Sequence, residues 1–302
     1  MKKIINIVIP AFNEELVIQE LTRRLSLLMD KLPKYTFEVI VVENASTDDT
    51  LKELLRARKK DQRFKILQLS TNYGCDGAIV AGVHYARGDA VIIMMADLQD
   101  VPELIPEFLK RWEEGYDIVY GIVKKRVHMG LMRRFGTFLF YKIMSKLSKG
   151  LIPENVSDFR LIDRKVYRVI LSMPEHNKFF RGLVMWTGYK KIGIPFIRPD
   201  RIAGKSKADL PTMLSVALNG IISFSSLPLR ISWLIAGLFI SGMLISLIVL
   251  RFQLSLIFFS LSLVTILISI QNEYIGRILE EVRGRPHFVV QNTYGFSKTK
   301  KI

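Results

Sequence analysis

The chain has 302 residues, enough to bury a full hydrophobic core, and it combines a net charge of +16 with a hydrophobic fraction of 49%. Because it holds 19 Gly, 11 Pro and one Cys, the collagen-like, disordered and disulfide-stapled classes are excluded. A mean hydropathy of +0.23 in so basic a chain is typical of a basic soluble domain joined to a membrane segment.

Short apolar runs alternate with amphipathic segments in the first part of the chain. Strands are predicted at 4–10, 37–42, 64–69 and 90–95, and a fifth strand begins at Ile118. Helices are predicted between them, the first opening at 13–15 and following Leu16, Leu21, Leu25 and Leu28, the others at 50–60, 78–86 and 104–114. This alternation predicts an α/β fold with a doubly wound, mostly parallel sheet, whose ligand lies beyond the carboxyl ends of the strands.

Two C-terminal segments, 231–250 and 252–272, carry no charged residue, and each has the length, ~20 residues, that a helix needs to cross a bilayer. We predict two transmembrane helices there; a buried helical hairpin of a soluble protein is the alternative. Arg251 alone separates the segments, whereas several arginines and lysines flank them. The positive-inside rule therefore predicts a multi-pass protein of the plasma membrane whose N-terminal domain and both termini are cytoplasmic.

The chain divides accordingly into a cytoplasmic α/β domain at 1–205, a juxtamembrane segment with a helix at 206–230, the two spanning helices, and a cytoplasmic tail at 273–302. Within the first domain, residues 131–148 combine an apolar helical stripe with basic side chains, which predicts an interfacial helix on the anionic lipid bilayer. Nucleic acid is the rival partner for so basic a surface. We expect no nucleic-acid binding, because two spanning segments in the same chain favour lipid.

A series of motifs resembles, in order and spacing, those of the family 2 inverting glycosyltransferases; the motifs lie at 7–15, 72–74, 97–103, 157–164, 181–183, 204–207, 223–225 and 273–277. Within that family the chain is similar to the bacterial polyprenyl-phosphate glycosyltransferases and the dolichol-phosphate mannose synthases. The resemblance implies a GT-A-like fold. It also implies a membrane-bound enzyme that transfers a sugar, with inversion, from a nucleotide diphosphate sugar, by resemblance a UDP-sugar, to polyprenyl (undecaprenyl) phosphate for the cell envelope.

In such a reaction the nucleotide diphosphate leaves as an anion, and a divalent cation held by carboxylate oxygen, Mg²⁺ or Mn²⁺, stabilises its developing charge. Asp97, at the end of the fourth predicted strand, is the predicted metal ligand. For Asp100 two roles stay open, a role in the site and an N-cap of the helix near Pro102, which suits Asp100 better than Asp97. The resemblance implies a set of donor-binding residues: Pro10, Ala11, Asn13, Glu14, Glu43, Asn44, Asn72, Asp97, Gln99, Arg201, Ser206 and Lys207. For the last three, a basic juxtamembrane anchor is the alternative.

On the acceptor side, Asp158 resembles the catalytic base of the family. A lipid phosphate has a second pKa of about 6 and is mostly a dianion at neutral pH, so little proton removal is needed. An orienting role for Asp158, or an ion pair with Arg160 or Arg164, is therefore the alternative. The acceptor-binding residues that we predict are Arg126, Arg133, Arg134, Arg160 and Arg181. For Arg133 and Arg134 a plain solvated basic face is equally open.

Two departures from the family motifs bear on activity. Met95 stands where the usual Asp-x-Asp has its first carboxylate, and Glu43-Asn44 replaces an Asp-Asp pair. They motivate a second hypothesis, a catalytically weakened membrane scaffold or partner subunit of a glycan-assembly complex. A processive polysaccharide synthase is disfavoured, because the Arg111-Trp112 pair lies too early for the motif of those enzymes. The sequence names neither the sugar nor the oligomeric state, and a homo-oligomer is an open alternative.

Overall fold

The computed structural model describes residues 2–126, 156–175, 178–199 and 253–296, which build one eight-stranded sheet with helices packed on both of its faces. The strands are β1 (Lys3–Ala11), β2 (Tyr35–Glu43), β3 (Phe64–Leu69), β4 (Ala90–Ile93), β5 (Ile118–Arg126), β6 (Val156–Asp163), β7 (Lys191–Arg198) and β8 (Val290–Tyr294). The helices are α1 (Glu15–Asp30), α2 (Thr50–Lys60), α3 (Gly74–Tyr85), α4 (Ile105–Glu113), α5 (Arg164–Ser172), α6 (Phe180–Trp186) and α7 (Gln253–Arg283). A short 3₁₀ turn, Pro102–Leu104, leads into α4.

The centre of the sheet is parallel. Strand β1 pairs with β2 on one side and with β4 on the other, and β2 pairs in turn with β3. From Ile5 onward β1 is buried, as expected of a strand that is covered by helices on both faces. The carboxyl ends of these four strands share one edge, so the loops that follow them converge there. The predicted doubly wound, parallel centre is therefore confirmed.

The flanks of the sheet are antiparallel, which corrects the prediction of a mostly parallel sheet to a mixed one. The strand order is β7-β5-β6-β4-β1-β2-β3-β8. Strand β6 lies between β4 and β5 and is antiparallel to both, and β8 is antiparallel to β3. At the outer edge β7 runs parallel to β5. Because β6 runs opposite to β4, its first residues, rather than its last, lie at the edge where the parallel strands end.

Two element predictions need correction. Helix α1 has nearly the predicted bounds, but Leu16 is 73% exposed, whereas Ile18, Leu21 and Leu25 face the core. A helical repeat of 3.6 residues puts positions 18, 21 and 25 on one face and leaves position 16 outside it. Helix α3 begins before its predicted start at 78, because Gly74 adopts a φ of 74° and turns the chain directly into the helix.

Two apolar layers fix the sheet. Residues of α1, α2 and α4 pack with one face of the strands, and residues of α3, α5 and α6 pack with the other. Interiors packed in this way are dense and deform little, so the strand ends are fixed points from which the connecting loops project. The fold thereby supplies a rigid platform for the polar residues at the carboxyl edge.

Several predictions fall on parts of the chain that the structure does not describe. The interfacial helix at 131–148, the segment at 206–230 and the first predicted span at 231–250 lie outside the described residues. The second predicted span, 252–272, overlaps α7 from Gln253 onward. Among the helices of the described residues, none has both the length and the apolar character required to cross a membrane. The two predicted spans are therefore not confirmed.

Candidate active site

The loops at the carboxyl edge of the sheet contain strained backbone. Three residues other than glycine have positive φ among the described positions: Asn13 at 53°, Ala45 at 57° and Leu98 at 58°. Each follows a different parallel strand, β1, β2 or β4, so the strain gathers at one edge. Left-handed backbone at a residue with a side chain is uncommon, and it concentrates at binding and catalytic sites. This edge is therefore the first place to look for a site.

The loops after β1 and β2 are tied together by side chains predicted to bind the donor. The Asn13 side-chain oxygen accepts the backbone N–H of Thr47 (2.8 Å), and the Asn13 N–H donates to Ser46 Oγ (3.1 Å). The Glu43 carboxylate accepts the Ser46 N–H at 2.5 Å. The backbone N–H of Glu14 donates to the Thr50 hydroxyl (2.8 Å). The structure thus brings Asn13, Glu14 and Glu43 together around the segment 46–50.

Asn44 forms its hydrogen bonds inside the protein. Its side-chain NH₂ donates to Asn72 Oδ1 and to the Gly74 carbonyl, both at 3.0 Å, and its oxygen accepts the Tyr73 N–H at 3.0 Å. The residue is 3% exposed, and its own N–H donates to the Ala11 carbonyl (2.9 Å). An aspartate here has no N–H to donate to the two oxygens. The departure from the family Asp-Asp pair therefore joins the end of β2 to the start of α3.

The acidic loop after β4 has its own internal order. Asp97 is 9% exposed, and its Oδ1 accepts the Gln99 N–H at 3.2 Å. Asp100 is fully buried, and it accepts the Met95 N–H (3.0 Å) and the Ser157 hydroxyl (3.2 Å). The prediction of Asp100 as an N-cap is wrong, because Val101 precedes the 3₁₀ turn and no side chain caps it. Asp100 instead closes the loop that presents Asp97.

Asp97 could hold a divalent cation together with the oxygens of a diphosphate. The described residues contain no cluster of three His, Cys, Asp or Glu side chains that could hold a metal by itself. Mg²⁺ sites in phosphate-handling proteins commonly use one or two carboxylates, with the remaining ligands from substrate phosphates and water. Asp97 matches that pattern as a single carboxylate that follows a strand end, with 9% of its surface exposed. Met95 offers only a soft thioether, 3.9 Å from Cys75 Sγ, and hard cations prefer oxygen.

Asp158 lies at the start of β6 in an arginine clamp. The Arg181 guanidinium binds both carboxylate oxygens, with Nε 2.8 Å from Oδ1. Arg160 lies 3.4 Å from Oδ1 and donates to the carbonyls of Ser157 (2.8 Å), Asp158 (3.2 Å) and Arg181 (3.3 Å). At 1% exposure, Arg160 is engaged within the protein. Of the two alternative ion-pair partners of Asp158, Arg160 is confirmed and Arg164 is wrong, because Arg164 pairs with Asp89 and donates to the carbonyls of Arg87 and Gly88.

The charges around Asp158 keep it ionised. Burial alone raises the pKa of a carboxyl group, but Arg181, Arg160 and Arg198 outweigh it and hold the pKa of Asp158 at about 2. A carboxylate of such low basicity is a poor acceptor of a proton at neutral pH. The opposite holds for Asp100, where burial raises the pKa to about 6 although Arg198 and the Met95 N–H lower it. The same edge thus carries carboxyl groups of very different acidity.

Sequence reasoning missed Asp76 on α3. Burial and the nearby charge of Asp158 raise the pKa of Asp76 to about 6, although Arg181 and the backbone N–H of Phe180 lower it. The side chain therefore joins α3 to the first residue of α6 beside the arginine clamp. Its position two residues after the motif at 72–74 was the available signal. The spacing alone did not show that α6 folds back onto it.

The remaining predicted residues are only partly placed. Pro10 and Ala11 end β1 in buried positions, and Gln99 donates its side-chain N–H to the Pro199 carbonyl at 3.2 Å. Arg126 ends β5, in register with Arg198 of β7. The others lie outside the described residues: Arg133, Arg134, Arg201, Ser206 and Lys207.

Restoring the family carboxylate with Asn44→Asp should destabilise the protein. The two N–H donors to Asn72 and Gly74 would be lost in a buried position, which is expected to lower the free energy of unfolding on the order of 2 kcal/mol. Chemical denaturation in detergent measures the change. Asn292→Ala is the control, because Asn292 makes one hydrogen bond (2.9 Å) at an exposed position of β8 and should change little. Equal stability of Asn44→Asp and the parent protein would contradict this role for Asn44.

The low pKa of Asp158 sets the pH range in which its clamp stabilises the fold. An unfolded aspartate has a pKa of about 3.9, so the stabilisation is present above about pH 4 and is lost as the pH falls toward 2. Asp158→Asn leaves two guanidiniums uncompensated and should lower stability on the order of 3 kcal/mol at pH 7. Melting temperatures measured down the pH scale should converge with those of the parent protein near pH 2. A difference in melting temperature between the variant and the parent that did not change with pH would contradict the prediction. Asp30→Asn, which removes an exposed ion pair with Arg63, is the control.

Comparison with known proteins identifies the fold and the family. The model of the family described as "Glycosyl transferase family 2" matches residues 6–171. The "Uncharacterized glycosyltransferase YkcC" of Bacillus subtilis (strain 168) is 38% identical over 310 residues, which cover 98% of this chain and 95% of that protein. The "Bactoprenol glucosyl transferase" of Shigella phage SfII is 34% identical over 306 residues, 96% of this chain and 98% of that protein.

Among solved structures, the glucosyl-3-phosphoglycerate synthase of Mycobacterium tuberculosis, determined with Mn²⁺, UDP and phosphoglyceric acid, matches with a TM-score of 0.55. The match is 17% identical and covers 74% of this chain and 77% of that chain. At this identity the likeness concerns the fold alone, and it confirms the GT-A-like α/β architecture. The motifs, the strand-end site and relatives that match nearly end to end agree: the chain belongs to glycosyl transferase family 2 and is a glycosyltransferase.

Proposed function

We propose that this glycosyltransferase transfers one sugar, with inversion, from a UDP-sugar to polyprenyl phosphate with the aid of a divalent cation. One observation carries the proposal. A candidate cation ligand, Asp97, and an arginine-clamped carboxylate, Asp158, lie at one strand edge, where Asp100 is near enough to both that their charges raise its pKa. The bactoprenol glucosyl transferases that match the chain over nearly its full length support a polyprenyl acceptor.

On the donor side, the loops after β1 and β2 form the nucleotide end of the site, and Asp97 faces the diphosphate. Asp97 would hold a divalent cation, which would supply positive charge to stabilise the diphosphate as it leaves. The strained backbone at Leu98 presents Asp97 from a buried turn. The Mn²⁺ and UDP bound by the glucosyl-3-phosphoglycerate synthase of similar fold support this assignment.

On the acceptor side, we assign Asp158 an orienting role. The phosphate of the acceptor is mostly a dianion at neutral pH, so the attacking oxygen needs positioning more than deprotonation. Asp158, with a pKa of about 2, stays ionised and holds Arg181 by both carboxylate oxygens. In this role Asp158 fixes the positively charged side chains of this edge, which receive the phosphate. Inversion follows from attack on the anomeric carbon opposite the leaving diphosphate.

We also propose that the segments 231–250 and 252–272 anchor the enzyme in the plasma membrane, with the catalytic domain and both termini in the cytoplasm. A lipid-linked acceptor is best reached from the bilayer surface. Large apolar side chains of α7 are exposed, which supports contact with lipid: Ile257, Phe259, Val264, Ile266 and Ile268. The protein should stay in the membrane pellet of expressing cells after an alkaline carbonate wash. Release into the supernatant would contradict membrane anchoring.

Transfer is tested with the full chain in detergent, undecaprenyl phosphate and a panel of radiolabelled UDP-, GDP- and CDP-sugars. Label should move into the lipid phase with one donor, and only with Mg²⁺ or Mn²⁺ present. Asp97→Asn should lower kcat/KM by about 100-fold or more, because it removes the proposed protein ligand of the cation. Asp30→Asn, on the exposed surface of α1, should leave the rate unchanged.

The transfer assay, combined with a measurement of UDP binding, separates the enzyme from the scaffold alternative, which the thioether of Met95 motivates. Binding of UDP without transfer to any polyprenyl phosphate, across the whole donor panel, would favour a scaffold or partner subunit. Transfer that survives both metal chelation and Asp97→Asn would instead contradict the cation assignment while leaving the reaction intact.

A further inference from the structure

Among the described residues, a single buried side-chain nitrogen or oxygen atom lacks a hydrogen-bond partner, and it is Nε of Arg198. Buried polar groups are otherwise almost always paired, since leaving one unpaired costs free energy. Arg198 is the last residue of β7, and its side chain is 22% exposed. The orphan N–H thus belongs to a side chain that borders both the protein interior and the open edge of the sheet.

The surroundings of Arg198 connect it to the candidate site. Its Nη2 lies 3.5 Å from Asp100 Oδ1, at the limit of a hydrogen bond, and its charge lowers the pKa of Asp158. The next residue, Pro199, accepts a hydrogen bond from Gln99 at 3.2 Å. The end of β7 is thereby held against the acidic loop that presents Asp97. The guanidinium thus contacts the carboxylate that closes this loop, and its charge acts on Asp158 of the arginine clamp.

The three arginines of this edge differ in how far their donors are used. Arg160 donates to three backbone carbonyls and to Asp158, and Arg181 binds both oxygens of Asp158. Within the part of the chain that the structure describes, Arg198 makes one long contact and has an unpartnered Nε. A guanidinium binds an oxyanion through two parallel N–H groups, commonly Nε and one Nη. In Arg198 no described residue uses Nε, and Nη2 is engaged only by its long contact with Asp100, so these two donors are the least committed of the three arginines.

We propose that Arg198 is a binding residue for a phosphoryl oxygen of the substrates, held in place by Asp100, which acts as its positioning residue. The assignment rests on the proposed function and deepens it, because it names the side chain that receives the phosphate. Two substrates could supply the oxygen, the diphosphate of the donor or the phosphate of the polyprenyl acceptor. Asp100 keeps the guanidinium at the edge until the ligand replaces its long contact.

Binding measurements on the full chain in detergent test the assignment without requiring turnover. Calorimetry with UDP and Mn²⁺ reports on the donor source, and a water-soluble short-chain polyprenyl phosphate reports on the acceptor source. Arg198→Gln should weaken the binding of one of the two probes by about 10-fold or more. Arg198→Lys keeps the positive charge but loses the paired N–H groups of the guanidinium, so its affinity should fall between those of Arg198→Gln and the parent. Arg63→Gln is the matched control, because Arg63 pairs with Asp61 (2.7 Å) near the start of β3, at the opposite edge.

A purely structural role, in which Arg198 only neutralises Asp100, is separated by a second pair of variants. If Arg198 only neutralised Asp100, Arg198→Gln would have no further effect on binding in an Asp100→Asn background, where there is no carboxylate to neutralise. The proposal expects Arg198→Gln still to weaken binding in that background, by a smaller factor than in the parent, because Asp100 no longer holds the guanidinium in place. Melting temperatures of all four proteins show whether each is folded.

The proposal would be overturned if folded Arg198→Gln bound both probes within about twofold of the parent, or if the parent bound neither probe. Parent protein that binds the probes, loses binding in Arg198→Gln and yet transfers no sugar would support the Arg198 site and contradict the proposed reaction. The two hypotheses therefore fail on different observations.

Discussion

The buried carboxylate of Asp100 is the contact on which the arrangement of the site depends. It accepts a backbone N–H at the end of β4, a hydroxyl at the start of β6 and the long contact from the end of β7. Strands β4, β6 and β7 are thereby fixed to one another at a single edge. Burying such a group is unfavourable unless it is fully hydrogen-bonded, so the three partners and the carboxylate stabilise one another.

From that junction the site divides into two halves of different chemistry. Toward β1 and β2, amides and hydroxyls, together with the Glu43 carboxylate, interlock the loops, and Asn44 extends this network to α3. Toward β6 and α6, the network is ionic and is built on Asp158 and its two guanidiniums. Neutral hydrogen bonds suit the recognition of a base and a sugar, whereas fixed charges suit phosphates. The acidic loop with Asp97 lies between the two halves.

Periodicity and short motifs predicted much of this structure, for physical reasons. Parallel strands buried on both faces appear as continuous apolar runs, so β1 to β4 could be assigned almost to the residue, and the site at their ends followed. The antiparallel insertion of β6 could not be assigned, because strand direction depends on pairings between distant segments. Asp76 and Arg198 were missed for the same reason: each acquires its significance from a neighbour on another element. The N-cap alternative for Asp100 rested on local spacing, which carries no information about the buried contacts of Asp100 with the start of β6 and the end of β7.

Leu98 shows what this design implies for the working enzyme. Its side chain is 1% exposed in the apolar layer shared with α1 and α4, while its backbone has a φ of 58° beside Asp97. The hydrophobic packing of one leucine therefore holds a strained turn closed, and the strain is released wherever that packing loosens. Heating loosens local packing before it unfolds a domain. If Asp97 holds a cation as proposed, its affinity depends on the tightness of this packing, and cation binding and the rate should be lost at temperatures where most of the sheet is still folded.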